Sequence, residues 1–227
     1  TIHSFISDGT FVPLKASDRL GGPGNRRMEF IGDSITAATN LNRPEGARAG
    51  CGDDGFQSDW TRSYAALLCH RFGAACSTIA YGGKCMMREG NCGGLQMPDY
   101  FLATLSTGCA GVPGASLGGP GSDAQTYKFP SSETPDAMFI DLGTNDVARA
   151  MFPKEKGGDP AFELRFAQET FAFMRNATEL YRKPDIQFFL NAGPMENSTM
   201  NGTLQAIEMA KAAGLKATFV DARSACS

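Results

Sequence analysis

Five short apolar runs alternate with amphipathic stretches, and that alternation leaves few folds open. The runs cover residues 28–31, 78–81, 137–140, 185–190 and 217–220. Between the first two, Trp60, Tyr64, Leu67, Leu68 and Phe72 recur at helical spacing within 58–72, with Ser58 placed to cap the helix and Gly73 to stop it. A long helix is expected over about 160–181, with Phe162, Phe166, Phe171, Phe173 and Met174 on its apolar side. Another is expected over 200–213, with Leu204, Ile207, Met209 and Ala212 turned inward and Gly214 ending it. Strand and helix in alternation imply a parallel sheet with helices on both faces. The third run, Ala137-Met138-Phe139-Ile140, is apolar throughout, as a strand covered on both sides should be.

The 227 residues suit one sizeable domain. Residues 1–27 are polar and end in Gly21-Gly22-Pro23-Gly24-Asn25, so they read as a linker or the last strand of something upstream, with 28–227 as the domain proper. The net charge of −3 and the absence of a Lys/Arg run speak against nucleic acid as a partner. No apolar stretch approaches the ~18 residues of a membrane span, so no membrane partner is expected. Residues 41–57 form a loop rich in Gly, Arg and Asp. Residues 84–125 form a long Gly-rich loop with room for a helical turn near 98–105, either stapled beside a site or a plain surface insertion.

Seven cysteines are many for this length, and with only His3 and His70 they show no zinc-ligand spacing. Disulfides are the expectation, with Cys69–Cys76 and Cys85–Cys92 as the local pairs, Cys51 and Cys109 available for others, and Cys226 left over. Three N-x-[ST] sequons, at Asn176, Asn197 and Asn201, point the same way, toward a secreted and glycosylated protein.

The chemistry gathers at the strand ends. Gly32-Asp33-Ser34-Ile35 follows the first apolar run, where parallel α/β sheets place their ligands. Ser34 is a candidate nucleophile there, or else a helix cap. Gly82-Gly83 follows the second run, where glycine lets backbone N–H groups approach a ligand, or simply makes a turn. Asn145, in Asp141-Leu142-Gly143-Thr144-Asn145-Asp146, follows the third. Its uncharged amide could donate to an oxyanion, or it could serve as a turn or cap residue.

These segments resemble the sequence blocks of the GDSL, or SGNH, hydrolases. The wider run from Arg27 to Thr36, Ser63-Tyr64-Ala65-Ala66-Leu67, Ala80-Tyr81-Gly82-Gly83-Lys84 and Pro135-Asp136 is similar to carbohydrate esterase family 2, which deacetylates polysaccharides. The resemblance implies a three-layer α/β/α sandwich with a five-stranded parallel sheet in the order 2-1-3-4-5. It implies Ser34 as nucleophile, with an oxyanion hole from the Ser34 N–H, the Gly83 N–H and the Asn145 amide. Gly82 stands where the family has serine. It implies an acetylated carbohydrate or other small ester as substrate and no metal or organic cofactor.

The family's base is a histidine after the fifth strand, and none follows residue 220 here. His70 falls at a helix end and His3 in the irregular start, so neither is assigned that role. The expectation is a chain cut before its base, favoured by the unpaired Cys226, the end just after a strand and the start without Met. The alternatives are a glycan-binding protein without turnover, or a hydrolase of lipid or small acyl esters on the same scaffold.

Overall fold

The computed structural model describes residues 26–39, 41, 58–88, 92, 95–102, 128–148, 159–191 and 199–221. Its strands are β1 (Arg27–Gly32), β2 (Ala75–Ala80), β3 (Ala137–Asp141), β4 (Gln187–Asn191) and β5 (Lys216–Phe219). They form one parallel sheet in the order β2-β1-β3-β4-β5, the order implied by the resemblance. Each expected strand is present, with ends shifted by a residue or a few. The register matters most for function. Gly32 pairs with Ala80 on one side and Asp141 on the other, and Asp141 pairs with Asn191. The strands therefore end level, and the residues just beyond them lie along one edge.

Alternation along the strands divides the core. Met28 and Phe30 pack with Ala65 and Cys69 of α1 (Tyr64–Phe72) on one face. Ile31, Met138, Ile140, Phe188 and Leu190 pack on the other against α2 (Met97–Phe101), α4 (Pro160–Tyr181) and α5 (Met200–Ala212). The result is a three-layer α/β/α sandwich. A short helix, α3 (Thr144–Ala148), follows β3 and was not anticipated.

Helix α4 has the expected bounds. Asp159 caps it by accepting from Ala161 N, and Phe162, Phe166, Phe173 and Met174 are buried. Phe171 is only partly buried. Two helical faces differ from expectation. Helix α1 starts at Ser63, whose Oγ accepts from Ala66 N, after a separate 3-10 turn at Trp60–Arg62 capped by Asp59. Ser58 instead donates to Thr39 Oγ1 at 3.4 Å. Gly73 does end α1, at φ 56°. Helix α1 buries Ala65 and Cys69 and leaves Leu67 63% exposed, because small residues let it approach β2 closely where Cys69 and Cys76 are bridged. In α5 the buried residues are Gly202, Thr203, Ala206, Ile207 and Ala210, whereas Leu204 and Ala212 are exposed. Small residues set this contact too: a Cβ on Gly202 would lie 2.8 Å from Glu163 O on α4.

The two expected disulfides form, Cys69–Cys76 and Cys85–Cys92, with Cα atoms 6.2 and 5.9 Å apart. Cys51, Cys109, Cys226, His3, Asn197 and the loop 42–57 lie outside the described residues, as does 1–25. Asn176 and Asn201 are exposed, on α4 and in the first turn of α5.

Candidate active site

Ser34 sits in the tight turn after β1. Ala37 N donates to Asp33 O and Thr39 N to Ser34 O, at 3.0 and 2.9 Å, so the chain coils at once on leaving the strand. Gly32 permits this coil, since a Cβ there would lie 1.9 Å from Thr36 Oγ1. Ser34 is half-buried. Among the described residues neither its hydroxyl nor its N–H has a hydrogen-bond partner.

The segment after β2 faces this turn. A Cβ on Gly82 would stand 3.7 Å from Ser34 Cβ, ordinary van der Waals contact, so this position faces the serine directly. Gly83 turns the chain at φ 76°, a left-handed value that favours glycine. Its N–H has no partner among the described residues. The glycine whose added Cβ would touch Ser34 is thus Gly82, and the one in the left-handed conformation is Gly83.

Asn145, in α3, reaches the same turn through its neighbour rather than through the serine. Its Nδ2 donates to Asp33 Oδ2 at 3.0 Å and to Lys84 O at 3.1 Å. Both of its N–H bonds are therefore committed, one to the turn after β1 and one to the segment after β2. The structure brings Ser34, the two glycines and Asn145 to one corner of the sheet, with the amide turned toward Asp33.

Carboxylates crowd beneath this corner, a feature that motif reading passed over. Asp33 also accepts from Ile35 N at 2.9 Å, and burial pushes its carboxyl up to about 6 against the pull of its hydrogen bonds. Asp141, at the end of β3, accepts from Asn191 Nδ2 at 3.3 Å and lies 3.5 Å from Thr36 Oγ1. Burial, and then the charge of Asp33, raise it to about 7. Tyr64 shares a 2.9 Å hydrogen bond with Thr36, and burial together with the Asp141 charge lifts its phenol well above the ordinary value, so it stays protonated. Asp146, next to Asn145, is buried and raised to about 6, again by burial. Asp33 and Asp146 stand in the motifs themselves. Asp141 and Tyr64 meet only because the sheet brings together segments far apart in sequence.

His70 lies exposed in the last turn of α1. That turn leads into Ala75, which pairs with Arg27 at the start of β1. Ser34 follows the far end of the same six-residue strand, roughly 20 Å away at a strand's rise per residue. His70 therefore stands at the opposite end of the sheet from Ser34. Among the described residues, no group of acidic, Cys and His side chains could hold a metal ion, and no helix is long and apolar enough to cross a membrane.

Two comparisons place this arrangement. The family model described as GDSL-like Lipase/Acylhydrolase matches residues 28–222. A carbohydrate esterase family 2 enzyme with a carbohydrate binding domain from Corynascus thermopiles (Myceliophthora fergusii) is 24% identical, with 94% of this chain and 60% of that chain covered at a TM-score of 0.67. A family two carbohydrate esterase from Cellvibrio japonicus is 17% identical, with coverages of 86% and 51% at a TM-score of 0.65. One from Clostridium thermocellum, in complex with cellohexaose, is 24% identical, with coverages of 86% and 53% at a TM-score of 0.63. At these identities the likeness establishes the fold, and the chain spans 60% or less of each of those chains. A comparison with curated protein sequences finds no match.

Proposed function

The chain belongs to the GDSL-like lipase/acylhydrolase family, and on that premise we propose that it is a serine esterase that removes O-acetyl groups from carbohydrate. The observation that carries the reading is the Ser34 corner. A half-buried serine hydroxyl without a partner among the described residues follows a buried strand and faces a glycine pair, with an uncharged amide bonded to the adjacent Asp33.

In this reading Ser34 Oγ attacks the ester carbonyl carbon while its proton passes to a base. The developing oxyanion takes hydrogen bonds from the Ser34 N–H and the Gly83 N–H, both free of other partners among the described residues. Asn145 joins by giving up Asp33 Oδ2 and turning one N–H toward the oxyanion. Collapse of the tetrahedral intermediate, with the base returning that proton to the leaving oxygen, expels the alcohol and leaves Ser34 acetylated. Water, deprotonated by the same base, then releases acetate. His70 does not fill that role, and His3 lies outside the described residues.

Carbohydrate as the substrate is supported by what lies beside the turn. Trp60, half-exposed, borders an open groove of about 430 Å³ with Ala37, Cys76, Thr78 and Ala80. Ala37 belongs to the Ser34 turn, and Ala80 pairs with Gly32. An exposed indole face bordering an open groove suits stacking on a sugar ring. Trp60 is the only tryptophan in the chain, so its fluorescence reads this groove alone. Acetylated xylo-oligosaccharide should shift that emission in a saturable way. The same substrate should release acetate in the presence of imidazole as proton acceptor, with Ser34→Ala abolishing the release. Acetate release that survives Ser34→Ala would sink the proposal.

A second reading, glycan binding without turnover, draws on one observation: both Asn145 N–H groups are already engaged. It predicts the Trp60 response with no Ser34-dependent acetate. Secretion, consistent with the two disulfides, belongs to this proposal and is tested by recovery of the oxidised protein from culture medium.

A further inference from the structure

The geometry points to Asp146 as a positioning residue for the Ser34 reaction: its carboxylate fixes the segment after β2, which carries the Gly83 N–H, against α3, which carries Asn145. This rests on the reading of Ser34 as nucleophile given above.

The two oxygens of Asp146 serve two consecutive backbone donors. Oδ2 accepts from Met86 N at 3.0 Å and Oδ1 from Met87 N at 2.8 Å. The adjacent Asn145 holds Lys84 O at 3.1 Å. Between them, Cys85 N donates to Gln96 Oε1 and Cys85 O accepts from Met97 N, at 3.2 and 3.0 Å. The Cys85–Cys92 bridge brings Cys92 Sγ to 3.8 Å from Asn145 O, a contact rather than a hydrogen bond because a bridged sulfur carries no proton. Every residue from Lys84 to Met87 is thus anchored by its backbone. Gly82 and Gly83, just before it, make no backbone hydrogen bond among the described residues. They form the middle of a turn closed by Lys84 N donating to Tyr81 O at 3.3 Å, and Tyr81 N donates to Gly32 O at 3.2 Å. The Gly83 N–H is thus held between β1 on one side and the anchored Lys84–Met87 segment on the other.

Only a carboxylate meets this demand. Two N–H groups arrive together, so two acceptors are needed on one side chain. Asparagine would offer one acceptor and aim its own N–H at a donor. An apolar side chain would leave two donors without partners inside the protein. Burying a charge at a position 1% exposed is costly, and two hydrogen bonds offset that cost. The arrangement gains a fixed distance between the two oxyanion donors that come from different strands. Misplacement of such a group by about 1 Å costs on the order of 10²-fold in rate.

The test is Ser34-dependent hydrolysis of p-nitrophenyl acetate by the 227-residue chain. Imidazole is added as proton acceptor, and the Ser34→Ala rate is subtracted at each concentration. Asp146→Asn should lower the maximal rate by about 10²-fold at unchanged KM, the pattern of an interaction realised only in the transition state. The backbone amide resonances of Met86 and Met87 and the Asn145 side-chain amide should move, with the rest of the spectrum preserved. Wild-type turnover by folded Asp146→Asn protein overturns the assignment. Should that variant not fold, Cys92→Ser decides, since it loosens the same segment and leaves Asp146 in place. A lower maximal rate at unchanged KM supports the assignment, and an unchanged rate overturns it. If wild type and Ser34→Ala do not differ at all, the Ser34 reading itself fails, an outcome distinct from either.

Discussion

Gly32 and Asn145 fix the residue-scale account from two sides. Gly32→Ala must push Thr36 aside, because a Cβ would lie 1.9 Å from its hydroxyl oxygen, and Thr36 is itself tied to Tyr64. The expected cost is about 1–3 kcal/mol of stability by urea unfolding, with loss of Ser34-dependent hydrolysis as the turn shifts. Wild-type stability and activity in the Gly32→Ala protein would contradict that packing. For Asn145→Ala, the expected loss is about 10²–10³-fold in the Ser34-dependent rate, the range for one oxyanion donor. A rate close to that of wild type would confine Asn145 to its hydrogen bonds with Asp33 and Lys84. Ser34 was legible in the sequence because its strand, turn and hydroxyl are contiguous. The tie between Asn145 and Asp33 was not, because its partners are 112 residues apart and the bond exists only once β1 and β3 lie side by side.

Helix ends and faces carry the element-scale lesson. Helix α5 takes its N-terminal support from another helix: Thr199 makes no side-chain cap, and Glu163 of α4 accepts from Gly202 N instead. Glu163→Ala should cost about 1–3 kcal/mol, the range for a buried donor left without its partner. Gly202→Ala should destabilise as well, because its methyl group meets Glu163. Equilibrium unfolding checks both, and neutrality of both would contradict the cap. Strand existence and the bounds of α4 could be read in advance because apolar runs and helical periodicity are local signals, whereas strand order came from the family resemblance. The buried faces of α1 and α5 could not. Their contacts run through Ala65, Cys69, Gly202, Ala206 and Ala210, and a reading weighted to large apolar residues selects the wrong stripe. Helix α3 escaped for a related reason, since five residues give no periodicity to detect.

Across the whole molecule, four buried carboxyls share one sign of response to pH. Glu29 is raised to about 7, chiefly by burial and against its hydrogen bonds from Tyr181 and Ser77. Asp33, Asp141 and Asp146 are raised to between about 6 and 7. Each binds its proton more tightly folded than unfolded, so between about pH 4 and pH 7 the folded state holds more protons and stability falls as pH rises. Tm should therefore be higher near pH 5 than near pH 8, and Glu29→Gln should flatten part of that slope. A Tm that rises over this interval, with the same slope in Glu29→Gln, would contradict the burial of these groups as acids whose hydrogen bonds only partly offset desolvation. The central claim concerns one atom, Ser34 Oγ, and one measurement addresses it directly. The chain is incubated with p-nitrophenyl acetate and imidazole, digested, and its peptides are weighed. Expected is one acetyl group on the peptide holding Ser34, absent from Ser34→Ala and slower to appear in Asn145→Ala. Acetylation confined to other residues, with nitrophenolate release equal in wild type and Ser34→Ala, would contradict it.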